Sequence, residues 1–145
     1  MSFLIAIDPG RIKCGLLLAD VKSGIVIEAG IAKLNALSDL ILFWENNYLI
    51  DKIIIGNGTN SKFIENELKK ENFNNLTFVN EGGSTLRARF RYWEIWPPNY
   101  FIRLLPKAIL FPPENLDAIA ALILLEDFLK YTLIWPEKVN IKIWL

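Results

Sequence analysis

Three short apolar runs separated by polar turns occupy the first thirty residues, and this spacing restricts the possible folds more than any other feature of the chain. The runs cover residues 3–7, 15–20 and 24–30. Short apolar runs at such intervals are typical of strands joined by tight turns. The sequence therefore predicts that the chain begins with three antiparallel strands.

Strands and helices alternate in the remainder of the chain. Apolar residues recur at intervals of three and four between Asn35 and Tyr48, which indicates a helix, and the β-branched run 52–59 then predicts a strand buried on both faces. The segments that follow are a helix, a strand and two helices, at residues 61–72, 76–83, 84–96 and 112–130. This order predicts an α/β fold with a mixed five-stranded sheet, three antiparallel strands and then parallel strands, flanked by helices.

The length of the chain suits one domain. A hydrophobic content of 52% over 145 residues is sufficient for one packed core, and we place this domain at residues 1–130. Residues 131–145 form a strand-like extension that exposes Trp135 and Trp144. The extension either packs on the domain or lies at the interface of a two-fold homodimer.

The composition excludes several kinds of function. The chain has no histidine and one cysteine, which excludes a Cys/His zinc site and a disulfide framework. Sixteen Lys and Arg residues balance sixteen Asp and Glu residues, so the net charge does not indicate a nucleic-acid partner. The chain start lacks the basic region of a signal peptide, and no apolar run approaches the roughly 20 residues of a membrane span. We therefore expect a cytoplasmic protein without a membrane partner.

Three carboxylates lie at the ends of predicted elements instead of on solvated faces. Asp8 ends the first strand, Glu81 ends the last short strand, and Asp117 lies in the first turn of the last helix. Asp117 shares an apolar stripe with Ala121 and Leu124, so it is predicted to face the sheet. The solvated charges of that helix are expected at Glu126, Asp127 and Lys130. The three acids are predicted to meet at one sheet edge, where a divalent cation would offset the cost of burying them.

Each of these acids also has a purely structural explanation. The Asp-Pro-Gly sequence that begins at Asp8 is a common turn, and Glu81 could be a solvated residue of a Glu-Gly-Gly turn. Asp117 could complement the helix dipole. The structural explanations require three independent coincidences, whereas one metal site would explain the positions of all three acids.

A basic segment interleaved with aromatic residues follows Glu81. Its basic residues are Arg87, Arg89, Arg91, Arg103 and Lys107. Arginine suits phosphate contacts and aromatic rings suit base stacking, so the segment predicts a nucleic-acid groove. The alternative is a solvated helix whose Trp93 and Trp96 belong to the core.

Two further features carry weaker chemical signals. Gly56-Asn57-Gly58-Thr59 is similar to a phosphate loop but lacks the Gly-Lys-Ser/Thr ending. We interpret it as a turn that brings the backbone close to substrate, with Asn57 among the nucleic-acid contacts. Cys14 is predicted to be a small core residue of the second strand and not a nucleophile.

Four of these segments together resemble the RNase H-like nuclease superfamily. The similarity covers residues 3–130 in order and is carried by AIDPGRIKCGLLLAD, IIIGNGT, FVNEGG and ENLDAIAALILLEDFL. Its most specific parts are the Asp-Pro-Gly start and the Asp-Ala-x-Ala-Ala-x-x-Leu helix. They are most similar to the RuvC/YqgF branch of Holliday-junction resolvases and pre-16S rRNA-processing nucleases. IGNGT resembles the YqgF-type domain of larger RNA-binding transcription factors.

The resemblance implies a metal-dependent phosphodiesterase that acts on branched DNA or structured RNA. Asp8, Glu81 and Asp117 would hold one or two Mg²⁺ or Mn²⁺ ions, for which carboxylate oxygens are suitable ligands. With two ions about 3.5–4 Å apart, one activates water and the other stabilises the leaving oxygen. The resemblance also suggests that Lys13 lies near the site.

The chain departs from the family pattern at two positions. Asn80-Glu81 stands where YqgF-type proteins usually have Asp-Glu, and the strand that ends at Gly56 lacks the acid of RuvC-type resolvases. A catalytically inactive nucleic-acid-binding module is therefore the alternative function. A sugar-kinase or actin-like ATPase shares the fold and the turn, but it needs two such domains and 145 residues supply one.

Overall fold

The computed structural model describes residues 2–58, 60–81, 84–97 and 116–144, and this part of the chain has an α/β architecture. Its strands are β1 (Phe3–Asp8), β2 (Lys13–Asp20), β3 (Ile25–Lys33), β4 (Ile50–Gly56), β5 (Leu76–Val79) and β6 (Ile141–Trp144). Its α-helices are α1 (Leu37–Asn47), α2 (Ser61–Lys70), α3 (Ser84–Ile95) and α4 (Asp117–Leu129). A short 3-10 helix, Leu34–Ala36, leads into α1.

The strands of the described residues form one mixed sheet in the order β5-β4-β1-β2-β3-β6. β1, β2 and β3 are antiparallel neighbours, whereas β4 is parallel to β1 and β5 is parallel to β4. The mixed sheet flanked by helices is confirmed, but the expected number of five strands is wrong. A sixth strand, β6, pairs in parallel with β3, and it satisfies backbone groups that an edge strand would leave unpaired.

Helices cover both faces of the sheet. α1 and α2 pack on one face, and α4 packs with α3 on the other. Side chains alternate along β1, so Ile5 and Ile7 point toward α1 while Ala6 points toward α4. By the same alternation the side chain of Asp8 lies on the α4 side of the sheet.

α4 is the central helix of its face. Residues 118–126 are all buried, because the helix lies between the sheet and α3. The prediction that Glu126 is solvated is wrong, since its side chain is only 8% exposed. Its carboxylate accepts hydrogen bonds of 3.0 and 2.9 Å from Arg91 and one of 2.7 Å from the Leu133 N–H.

α4 is also the most apolar of the described helices, but it contains 13 residues. A membrane span needs about 20. Among the described residues, no helix combines the length and the apolar character that crossing a membrane requires.

The C-terminal segment is attached to the sheet through β6 and to the helices through aromatic contacts. Trp135 packs against Trp96 with ring centroids 5.2 Å apart, and its indole N–H donates to the Val139 carbonyl. Trp144 lies 5.7 Å from Phe43 of α1. Both Trp135 and Trp144 are half-buried, so the prediction that this segment exposes them is wrong. A homodimer formed through this segment stays a prediction.

Replacing Arg91 by alanine should leave the buried Glu126 carboxylate without its charged partner. Removing one member of a buried ion pair costs about 3 kcal/mol, so we expect the free energy of unfolding in urea to fall by that amount. Arg87→Ala is the matched control, because Arg87 pairs with Asp127 on the same two helices. Those two side chains are 46% and 45% exposed, and the expected loss is below about 1 kcal/mol. Equal losses would contradict the buried role of Arg91.

Candidate functional site

Three acidic residues meet at the edge of the sheet where β1, β4 and β5 end. Asp8 is the last residue of β1, Glu81 follows β5 by two residues, and Asp117 is the first residue of α4. Because β1, β4 and β5 are parallel neighbours, their C-terminal ends share this edge. These are the three acids that the sequence indicates as candidate metal ligands.

The carboxyl groups of Asp8 and Glu81 are close enough to share a hydrogen bond. The pKa of Asp8 rises from 3.8 to about 8, first because this carboxyl is buried and then because Glu81 repels its negative charge and bonds to its protonated form. The charge of Asp117 makes a smaller contribution in the same direction. At neutral pH and without a cation, Asp8 therefore keeps its proton.

Two glycines make room for the Glu81 side chain. A Cβ atom on Gly56 would lie 2.7 Å from Glu81 Oε1, and a Cβ atom on Gly58 would lie 2.7 and 2.8 Å from the two carboxylate oxygens. A larger residue at either position would therefore displace the carboxylate. Within the described residues, Glu81 Oε1 is buried and accepts no hydrogen bond from an N–H or a hydroxyl group. A buried oxygen of this kind needs the proton of Asp8 or a cation.

The N-terminus of α4 lies directly against β2, and this contact positions Asp117. A Cβ atom on Gly15 would lie 1.8 Å from the main-chain carbonyl oxygen of Asp117, so only glycine permits the approach. Burial raises the pKa of the Asp117 carboxyl. Lys13 opposes that increase, since its Nζ lies 4.0 Å from Asp117 Oδ2.

Asn60 connects the loop after β4 to the turn after Asp8. Its side-chain amide donates hydrogen bonds of 2.7 and 3.1 Å to the carbonyl oxygens of Gly10 and Arg11. The sequence did not indicate this role, because an Asn immediately before a helix is ordinarily an N-cap. Asn60 precedes α2, but its side chain caps no backbone N–H among the described residues. It instead holds the Asp8 turn against the loop that contains Gly58.

Cys14 is a buried core residue of β2, as predicted. Burial raises the pKa of its thiol to about 11. The thiol is therefore protonated at neutral pH, and a protonated thiol is a poor nucleophile and a poor metal ligand.

Asn57 and Lys13 are the predicted nucleic-acid contacts that lie beside the acids. Asn57 directly follows β4, between the two glycines that pack against Glu81, and it is exposed. Lys13 is also exposed and begins β2. Both residues can therefore contact a ligand at the same sheet edge as the acids.

The arginines of α3 make contacts within the protein. Arg87 donates hydrogen bonds of 2.7 and 2.6 Å to the Asp127 carboxylate. Arg91 is 15% exposed and is held by Glu126 and by the Leu133 carbonyl. Arg89 is half-buried. Arg103 and Lys107 lie outside the described residues. Nucleic-acid binding by these basic residues stays a prediction.

The acids at this edge are of the chemical type that could provide part of a coordination shell for a divalent cation. Carboxylate oxygens are the ligands that Mg²⁺ and Mn²⁺ prefer, and Glu81 Oε1 is a buried oxygen to which no N–H or hydroxyl group of the described residues donates. Within residues 2–58, 60–81, 84–97 and 116–144, no group of three or more Asp, Glu, Cys or His side chains converges closely enough to hold a metal as arranged. Asp8 and Glu81 therefore fit a cation as a pair, with Asp117 nearby.

Comparisons with known proteins do not assign this site. A scan against protein-family models gives no match, and a search of the curated proteins gives none either. The chemical interpretation of the site therefore rests on its own residues.

The raised pKa of Asp8 predicts a pH-dependent loss of stability in metal-free protein. Asp8 ionises near 3.8 in the unfolded chain and near 8 in the folded protein, so the folded state binds an additional proton between these values. The stability from this group is fully present below about pH 4 and is lost as the pH rises to about 8. Asp8→Asn removes this loss. At pH 8 in EDTA we expect the variant to exceed wild type by about 2 kcal/mol in urea unfolding, allowing for partial exposure of Asp8.

Asp39→Asn is the matched control for this measurement, because Asp39 is an exposed acid on α1. Its free energy of unfolding at pH 8 should lie within about 0.5 kcal/mol of the wild-type value, because substitutions of exposed residues have small effects. The advantage of Asp8→Asn should instead shrink toward zero near pH 4, where the folded wild type keeps Asp8 protonated. An advantage that is constant over this range would contradict the buried contact between Asp8 and Glu81.

Proposed function

We propose that this protein is a metal-dependent nuclease of the RNase H-like type, which hydrolyses phosphodiester bonds in branched DNA or structured RNA. Asp8, Glu81 and Asp117 would hold Mg²⁺ or Mn²⁺. The observation that carries the proposal is the contact between the Asp8 and Glu81 carboxyl groups. Two half-buried acids in contact are costly unless a proton or a cation lies between them.

The arrangement of the sheet supports this class of protein. The resemblance to RNase H-like nucleases implies three antiparallel strands followed by parallel strands, and β1 to β5 follow this order. The Asp-Pro-Gly turn and the Asp117 helix are the two most specific motifs of the resemblance. They are more than 100 residues apart in the chain and lie at one sheet edge, and this proximity supports the proposal.

The three acids have different tasks in the proposed reaction. A bound divalent ion supplies the positive charge that phosphoryl transfer requires and lowers the pKa of water. Glu81 would be the metal ligand with the least freedom to move, because Gly56 and Gly58 enclose its carboxylate. Asp8 would lose its proton to solvent on binding a cation, since carboxylates bind metals in the deprotonated form. Asp117 is 34% exposed, so it can contact both the cation and the substrate side of the site.

A catalytically inactive nucleic-acid-binding module is the second candidate function. Asn80 precedes Glu81 where the resemblance has a further acid, and Asn57 follows the strand on which RuvC-type resolvases carry one. The described acids do not form a group of three at coordination distance. Both candidates share a nucleic-acid partner, and they differ only in whether the bound strand is cut.

Cleavage assays on a labelled four-way DNA junction and a labelled single-stranded RNA distinguish these functions. We expect wild type to cut at least one of them with Mn²⁺ and neither with EDTA. Asp8→Asn, Glu81→Gln and Asp117→Asn should each lower the rate by about a hundredfold or more, because each removes a ligand charge. Gel time courses measure the rates, and the preferred substrate identifies the branch.

Glu45→Gln is the control for loss of a carboxylate charge, because Glu45 is exposed on α1. Its cleavage rate should equal that of wild type. Binding without cleavage, unchanged by EDTA and by Asp117→Asn, would establish the inactive module instead. Cleavage that persists in EDTA would contradict the metal site itself.

A further inference from the structure

Lys13 reaches the three acids from the neighbouring strand. Gly15 of β2 pairs with Asp8 of β1, and Lys13 is two residues from Gly15, so both lie on the same side of the strand. That side faces α4, because Leu17, which is two residues after Gly15 and on the same side of β2, packs in the core formed with this helix. The ammonium group accordingly lies beside Asp117, with Nζ 4.0 Å from Oδ2.

The charges of these four side chains balance one divalent ion. Asp8, Glu81 and Asp117 contribute three negative charges when all three are ionised as metal ligands, and Lys13 contributes one positive charge. The difference is two negative charges, which one Mg²⁺ or Mn²⁺ neutralises. A second divalent ion would leave the site with an excess of two positive charges before any substrate arrives.

We propose that Lys13 takes the place of a second metal ion, so that the site holds one divalent cation and the ammonium group contacts the substrate phosphate. This inference rests on the proposed function and specifies how that site is charged. A lysine ammonium is a compact point charge with three donors. The separation of 4.0 Å from Asp117 is longer than the roughly 2.7–2.9 Å of a charge-assisted hydrogen bond. The side chain is also 47% exposed, so it can reach a phosphate oxygen.

Counting bound Mn²⁺ tests the inference without reference to cleavage. The electron paramagnetic resonance signal of unbound Mn²⁺, followed during titration of the full chain at pH 8, reports the number of ions bound. We expect one ion for wild type and one for Lys13→Arg, which keeps the charge. Lys13→Met and Lys13→Gln remove the charge, and we expect each to bind two. Thermal unfolding shows that each variant is folded, and the two neutral variants serve as checks on each other.

Lys33→Met is the matched control, because Lys33 is the exposed cross-strand partner of Lys13 on β3 and lies one strand further from Asp8. It should bind one ion, as wild type does. Two ions in wild type, or one ion in both neutral variants, would overturn the role of Lys13 and leave the proposed nuclease intact. Absence of any bound Mn²⁺ in wild type would overturn this inference together with the metal site.

Discussion

The close approach of α4 to β2 at Gly15 is the contact on which the rest of the site depends. Because the carbonyl oxygen of Asp117 occupies the space that a Cβ atom on Gly15 would need, the helix begins directly on the strand. The helix then runs across the sheet with residues 118–126 buried, and this packing determines where α3 can lie. Asp117 is consequently fixed by the core, and it cannot leave the sheet edge unless the whole helix moves.

The contact between Asp8 and Glu81 has opposite effects on stability and on ligand binding. It lowers the stability of the metal-free protein, and it would favour the binding of a cation. Burial and repulsion by Glu81 raise the pKa of Asp8 to about 8, so Asp8 is mostly protonated at neutral pH in the metal-free protein. A side chain at position 56 or 58 would collide with the Glu81 carboxylate, so the two glycines allow it to lie beside Asp8. Groups arranged at such a cost are typical of functional sites, because the same desolvation that destabilises the metal-free protein would strengthen the binding of a cation.

The features of this structure that could be predicted from the sequence are those that follow from local patterns. The order of strands and helices follows from apolar spacing, and the three acids were recognisable because each stands at the end of an element. Arg91 and Glu126 were not recognisable as a buried pair, since 35 residues separate them and each has the pattern of a solvated helical charge. Asn60 was missed for a similar reason, because its partners Gly10 and Arg11 are about 50 residues away in the chain.

The sequence by itself determined the α/β class, the succession of elements and the identity of the candidate metal ligands, because these depend on residue type and on spacing within a few turns of the chain. Only the tertiary structure decided that β6 joins the sheet beside β3, that Glu126 is buried, and that Lys13 lies 4.0 Å from Asp117. These features depend on which distant segments pack together. The packing of distant segments minimises exposed apolar surface and unpaired polar groups over the whole domain, so it cannot be inferred from any local pattern.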